Sequence, residues 1–163
     1  MLRKVRQKQI SSSGGTFALV ASRYNARYVD ALLRAARAEL RRADVSRIQI
    51  VRVPGAYEIP IVAERLARVA HLDSHAPLSA IICLGVILRG ETVHAAHIGE
   101  AVSRALMEIQ LTHEIPVIHE VLLLENEGQA RVRCLNPKHN RGTEAAQAAL
   151  AMARVMAGLN SAG

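Results

Sequence analysis

Aromatic side chains are nearly missing from this chain: tryptophan is absent, phenylalanine occurs once and tyrosine three times in 163 residues. Proteins that hold single-stranded nucleic acid stack its bases on flat rings, and no such platform is available here. No DNA- or RNA-binding motif makes up for the lack. Cysteine is also scarce. Cys83 and Cys134 stand alone, without a C-x-x-C spacing, which argues against a zinc site and for a reducing compartment, the cytoplasm. No apolar run approaches the roughly 20 residues of a membrane helix, and the first residues lack the apolar core of a secretory signal. Acidic residues are in deficit, 14 against 21 Lys and Arg, for a net charge of +7. Much of the excess sits at the start, where Arg3, Lys4, Arg6 and Lys8 occur with no acid among the first ten residues. A second group, Arg34, Arg37, Arg41 and Arg42, shares one helix face. Without aromatics or a motif, this charge reads as solvated surface, not as a nucleic-acid or membrane interface.

What the chain does have is a 50% hydrophobic composition, enough for one domain with a sizeable core. Its organising stretch is Ala80 to Gly99. The apolar run from Ala80 to Leu88 reads as a fully buried strand of a parallel sheet. Gly90, Glu91 and Thr92 then form a short turn, and from Val93 the spacing becomes helical, with Ile98, Val102, Ala105, Leu106 and Ile109 on one face. A strand that turns sharply into a helix offers free N–H groups to an anion. Arg89 and His94 flank that turn.

The rest of the chain follows the same alternation. Residues 1–15 end in Ser11-Ser12-Ser13-Gly14-Gly15 and read as a flexible basic arm, too short for a transit peptide. Strands are expected over Thr16–Ser22, Arg47–Val53 and Ile115–Leu124, in addition to Ala80–Leu88. Helices are expected from Asn25, acting as a side-chain cap, with a stripe of Val29, Leu32, Leu33, Ala36 and Leu40; from about Tyr57 to Val69, with Pro60 in the first turn; within Glu125–Cys134; and from about Gly142 to Met156, where Ala145, Ala146, Ala149 and Ala153 permit close packing. Strand and helix alternate four times with one further helix, which gives an α/β fold: a three-layer α/β/α sandwich on a parallel, flavodoxin-like, four-stranded sheet. The expected organisation is the arm 1–15, one domain over 16–158 and a C-terminal tail 159–163.

Ligands of open parallel sheets bind beyond the carboxyl ends of the strands, and the unusual residues collect there. Ser22-Arg23-Tyr24-Asn25 follows the first strand, Pro54-Gly55-Ala56-Tyr57-Glu58 the second and Arg89 to His94 the third. A ring for a planar heterocycle, a carboxylate for hydroxyls, an anion cradle and an imidazole make a coherent pocket. Blander roles exist: Tyr24 could close the core edge, Glu58 could favour a helix start, and His94 could be a surface residue. His94 and His97 are three apart but have no third ligand, so no metal site is expected.

These segments resemble the lumazine synthase family. SRYN, VPGAYEIP and GVILRGETVH carry the resemblance, with PVI at 116–118, Gln129-Ala130, Arg133, Asn140-Arg141-Gly142 and Glu144-Ala145-Ala146, over about residues 16–158. The resemblance implies the condensation of a ribitylamino-aminopyrimidinedione with dihydroxybutanone phosphate, without metal or organic cofactor. It implies that Tyr24 stacks on the pyrimidine, that Ala56, Tyr57 and Glu58 hold the ribityl chain, and that Val86, Ile87 and Leu88 line the heterocycle. Gly90, Glu91 and Thr92 would bind phosphate and His94 would transfer protons. The pocket would be shared between subunits of a homopentamer, itself free, stacked as a decamer or closed as a 60-subunit shell. The neighbour would supply His119, Arg133 and Arg141, with Arg133 facing the phosphate; riboflavin synthase is a candidate partner. General chemistry agrees: phosphate departure needs a cation and oriented N–H donors, and imine formation needs a group that titrates near neutrality.

The sequence departs from the family pattern at Ala95, where Phe is common, at His119-Glu120, where Phe-Gly or another small pair is common, and at Arg141, usually Lys. His119 could replace the missing flat surface, and Glu120 is expected to reach solvent or pair with an arginine. These departures keep two alternatives open, a non-catalytic paralogue that binds flavin or lumazine and a mainly structural shell protein.

Overall fold

The structure, a computed structural model, describes residues 14–72, 77–90 and 93–161. Residues 1–13, which make up most of the expected arm, 73–76, Glu91 and Thr92, and the last two residues lie outside the described residues. Four parallel strands, β1 (Thr16–Ser22), β2 (Arg47–Val53), β3 (Ala80–Leu88) and β4 (Val117–Leu124), form one sheet in the order β2-β1-β3-β4. Helices α1 (Ala26–Arg42) and α5 (Arg141–Asn160) cover one face, α2 (Ile59–Leu72) and α3 (His94–His113) the other. The flavodoxin-like three-layer sandwich expected from the alternation is the fold observed.

Strand side chains alternate between the layers, as period two requires. In β1, Phe17, Leu19 and Ala21 pack with α1 and α5, while Ala18 and Val20 pack with α2 and α3. In β3, Ile82, Leu84 and Val86 join the first cluster, Ile81 and Cys83 the second. Central strands buried on both faces must be apolar throughout, which is why β1 and β3 read as unbroken runs. On α3 the expected face buries Val102, Leu106 and Ile109 and adds Ala95.

Several boundaries differ from the sequence reading; among them, α2 runs on to Leu72 and not about Val69, and α5 to Asn160 and not about Met156, so that it enters the expected tail 159–163. β4 starts at Val117, because Pro116 has no N–H for the ladder and the Val117 N–H is taken by Gln110 Oε1 at 3.0 Å. Residues 56–58 form a 3₁₀ turn, so α2 opens at Ile59 with Pro60 in its first turn. The segment after β4 is split into the four-residue α4 (Glu127–Ala130) and a π-helical turn, Arg131–Leu135. The closest helix contact is at Gly142, where a Cβ would lie 2.1 Å from the Leu32 carbonyl oxygen. Only glycine lets α5 cross α1 there.

Candidate active site

The carboxyl ends of β1 and β2 are tied together by their backbones. The N–H groups of Arg23 and Tyr24 both donate to Pro54 O, at 3.1 and 3.0 Å, and Arg23 also reaches Val53 O at 2.8 Å. Asn25 then turns into the left-handed region at φ 55°, which Asn adopts more easily than most residues. It occupies the cap position of α1, but its side chain does not cap the helix. Its amide instead donates 2.7 Å to Val86 O, pinning the β1–α1 turn to the end of β3. The expected side-chain cap is thus corrected to a cross-strand clamp, while the Asn25 carbonyl still receives the Tyr28 and Val29 N–H groups.

After β2, the chain bends through Pro54-Gly55 into the 3₁₀ turn. One oxygen of Glu58 accepts the Gly55 N–H at 2.8 Å, which leaves the other for a ligand hydroxyl. A Cβ on Gly55 would sit 2.9 Å from Glu58 Oε2 and 3.0 Å from Tyr24 Cδ2. The missing side chain therefore lets the Tyr24 ring and the Glu58 carboxylate converge on one backbone surface. Tyr24 is 70% exposed, so it does not close the core edge; its ring stands in a cavity wall.

That cavity holds about 840 Å³, within the range of small-molecule sites. Tyr24 and Asn25 come to it from the end of β1, Gly55 to Glu58 from the 3₁₀ turn, Val86 to Leu88 from β3, and His94 from the start of α3. Every candidate expected to contact the pyrimidine or the ribityl chain from this subunit is on that wall. Gly55, Asn25, His97, Ile98 and Ala101 line it as well. Sequence reasoning passed over these five as site residues; for the three on α3 the available signal was their spacing of three, four and seven from His94.

At the start of α3, Ala96 and His97 donate to Val93 O at 3.1 and 3.2 Å, while the N–H groups of His94 and Ala95 precede the first intrahelical acceptor. Gly90 has open space where a Cβ would be and is not on the cavity wall. Glu91 and Thr92 lie outside the described residues. Arg89 is engaged with Glu125, Nη1 to the two carboxylate oxygens at 2.8 and 3.1 Å, in an exposed pair. Among the described residues, no Lys or Arg lines the cavity.

The three remaining candidates are not brought to this cavity within one subunit. His119 stands on β4, where its Nε2 lies 2.8 Å from Ser103 Oγ. Ser103 donates its hydroxyl proton to Gly99 O at 2.7 Å, so His119 Nε2 is the donor in that pair. Arg133 projects from the π-helical turn and is exposed. Arg141 is committed to two carboxylates: Nε and Nη2 bind Glu120 at 2.7 and 3.2 Å, and Nη1 binds Glu144 at 2.7 Å. Glu120, buried at 3% exposure, therefore pairs with an arginine, one of its two expected fates. Burial pushes its carboxyl above the ordinary range, and Arg141 pulls in the opposite direction without cancelling it. Burial, reinforced by the Glu120 charge, also pushes the nearby Cys134 thiol up to about 11, so this thiol is protonated at neutral pH.

Comparison with known proteins agrees with this geometry. Residues 14–157 match the family model described as 6,7-dimethyl-8-ribityllumazine synthase. A protein of that name from Stenotrophomonas maltophilia (strain R551-3) is 41% identical over 142 residues, 86% of this chain and 88% of the relative. One from Xanthomonas euvesicatoria pv. vesicatoria (strain 85-10) is 40% identical over the same shares. A parallel 2-1-3-4 sheet, a cavity at its carboxyl end and a match over nearly all of the described residues lead to one assignment: the chain belongs to the 6,7-dimethyl-8-ribityllumazine synthase family.

Proposed function

We propose that this chain is a transferase of riboflavin biosynthesis that condenses 5-amino-6-(D-ribitylamino)uracil with 3,4-dihydroxy-2-butanone 4-phosphate to 6,7-dimethyl-8-ribityllumazine. The observation that carries the assignment of roles is the composition of the cavity wall. Tyr24 offers its ring to the pyrimidine, the backbone of Val86 to Leu88 lies along the heterocycle, and the Glu58 oxygen not bound to Gly55 receives ribityl hydroxyls. His94 takes a proton from the attacking amine and returns one to the departing hydroxyl as the imine forms. Phosphate then leaves, and the second amine closes the ring with loss of water.

Phosphate departure requires a cation, and no Lys or Arg stands on the described wall. This supports a site completed by a second copy of the chain, with Arg133 toward the phosphate, His119 toward the heterocycle and Arg141 nearby. The assembly we propose, on the family resemblance, is a homopentamer, alone, as a decamer or as a 60-subunit shell. Phosphate binding by Gly90, Glu91 and Thr92 is kept as part of this reading. The domain is taken as 16–158. No helix among the described residues is long and apolar enough to cross a membrane, and with two free, buried cysteines we place the enzyme in the cytoplasm.

A second reading, a paralogue that binds flavin or lumazine without turnover, is favoured by one observation, the full engagement of Arg141 by Glu120 and Glu144. Mixing the protein with both substrates and following the absorbance of the lumazine product decides between them. Product formation supports the enzyme; no turnover together with tight riboflavin binding establishes the paralogue. A stable, active monomer in light scattering would overturn the shared site.

A further inference from the structure

His97 has no part in the chemistry assigned so far, yet it lines the same cavity as His94. The two are three residues apart at the start of α3, which puts their Cβ atoms about 5–6 Å apart on one helix face. Their rings are thus within reach of each other through a single water. Beyond His97 the surface dips into a second groove of about 300 Å³, which shares His97 and Ala101 with the cavity and is otherwise walled by Glu100, Arg104, Ala105 and Glu108. Its charged residues are exposed, and Arg104 is held by Glu100 at 3.2 Å. His97 therefore stands where the cavity and a wet, charged groove meet.

The condensation makes this position useful. Protons are removed from nitrogen and carbon and delivered to departing hydroxyl and phosphate oxygens, at different atoms and in successive steps. A single imidazole in a cavity filled by two substrates must be reset between those steps. We propose that His97 is the proton relay of the site, carrying protons between His94 and the water of the outer groove. Within a step His94 returns to one atom the proton it took from another; between steps, a proton left on His94 passes to His97 and out, and one that it lacks comes in along the same path, so none is gained or lost over a turnover. Imidazole suits the task because it ordinarily exchanges protons near neutral pH. The charged and titratable groups facing His97 are His94, Glu58, Tyr24 and Tyr57 on the cavity side and Glu100, Arg104 and Glu108 on the groove side.

The relay rests on the lumazine synthase reading, and the test separates the two. Full-length wild type, His97→Phe and His97→Asn are assayed with both substrates in a bulky, dilute buffer, and imidazole is then titrated in. The relay predicts a loss of kcat of about tenfold or more in both variants, KM values within twofold of wild type, and saturable recovery of kcat by imidazole that wild type does not show. Variants with wild-type kcat in the dilute buffer, or a loss of kcat that imidazole does not recover, overturn the relay alone. A wild type without turnover overturns the reading of the site, and the relay with it.

Discussion

The pair between Arg141 and Glu120 gives the most quantitative test of the structure. Replacing Arg141 with Ala removes the two bonds to Glu120, at 2.7 and 3.2 Å, and strands a carboxylate whose side chain is 4% exposed. Removing one partner of a fully buried pair costs about 3–5 kcal/mol. The Arg141 side chain is 36% exposed, so water already screens its side of the pair, and about 2–3 kcal/mol is expected at neutral pH. For a chain of this length that lowers the thermal midpoint by about 5–10 °C. The loss should depend on pH in a definite direction. Burial holds the Glu120 carboxyl above its ordinary value of 4.5, so the fold favours its protonated form. The corresponding stability is fully present below 4.5 and is lost as pH rises through the folded value. Without Arg141 the opposing pull disappears and the folded value moves higher. The deficit of Arg141→Ala should therefore be small near pH 4.5 and grow toward neutrality, whereas Glu120→Gln should remove the wild-type decline over the same window. The double variant Arg141→Ala/Glu120→Gln strands no carboxylate at position 120, leaving only the partly exposed Glu144 without this arginine, and should lose less than the single Arg141→Ala at neutral pH. Urea unfolding across that range checks each point. A deficit in Arg141→Ala that does not change with pH would refute the burial of a titrating Glu120.

Three further outcomes are expected. His94→Ala should lower kcat by about 10²–10⁴-fold while pyrimidine binding persists, measured by steady-state kinetics and ligand titration; wild-type rates would remove His94 from the mechanism. Arg133→Ala should weaken the phosphorylated substrate roughly 10- to 100-fold, the weight of a charge-assisted contact of about 1.5–3 kcal/mol, with little change for the pyrimidine. Equal losses for both substrates would point instead to a damaged interface. His119→Phe should keep turnover, while His119→Ala should weaken pyrimidine binding; wild-type pyrimidine binding in His119→Ala places His119 outside the pocket.

β1, β2 and β3 were legible to the residue, because each is a continuous β-rich run closed by a polar or turn residue. β4 was not, since Ile115 and Pro116 are apolar in sequence, and although the Pro116 carbonyl accepts the Ile81 N–H at 2.8 Å, its ring nitrogen has no proton to give the ladder. The rim of the site was legible because ligand crevices lie just past the carboxyl ends of parallel strands, although Arg89 and Gly90 after β3 stay off the cavity wall. The depth of the cavity was hidden. It depends on how α3 tilts across β3, and His97, Ile98 and Ala101 reveal nothing of that tilt by residue type. Asn25 was misread because capping is a local rule, whereas its φ of 55° and its bond to Val86 are set by a strand far away in sequence. The fate of Glu120 was narrowed only to solvent or some arginine, because which cation α5 delivers to β4 is a matter of packing.

The close crossing at Gly142 reaches further than the two helices it joins. Asn140, just before it, accepts the Gly142 N–H at 2.8 Å and donates to the carbonyl of Cys134, the residue after Arg133. The backbone of Leu32, the start of α5 and the π-helical turn thus form one continuous mechanical linkage, with the guanidinium of Arg133 at its free end. A side chain forced in at Gly142 would push that linkage outward and swing Arg133 with it. On the shared site proposed above, such a variant, altered only deep between two helices, would also loosen the grip on an anion in a neighbouring subunit.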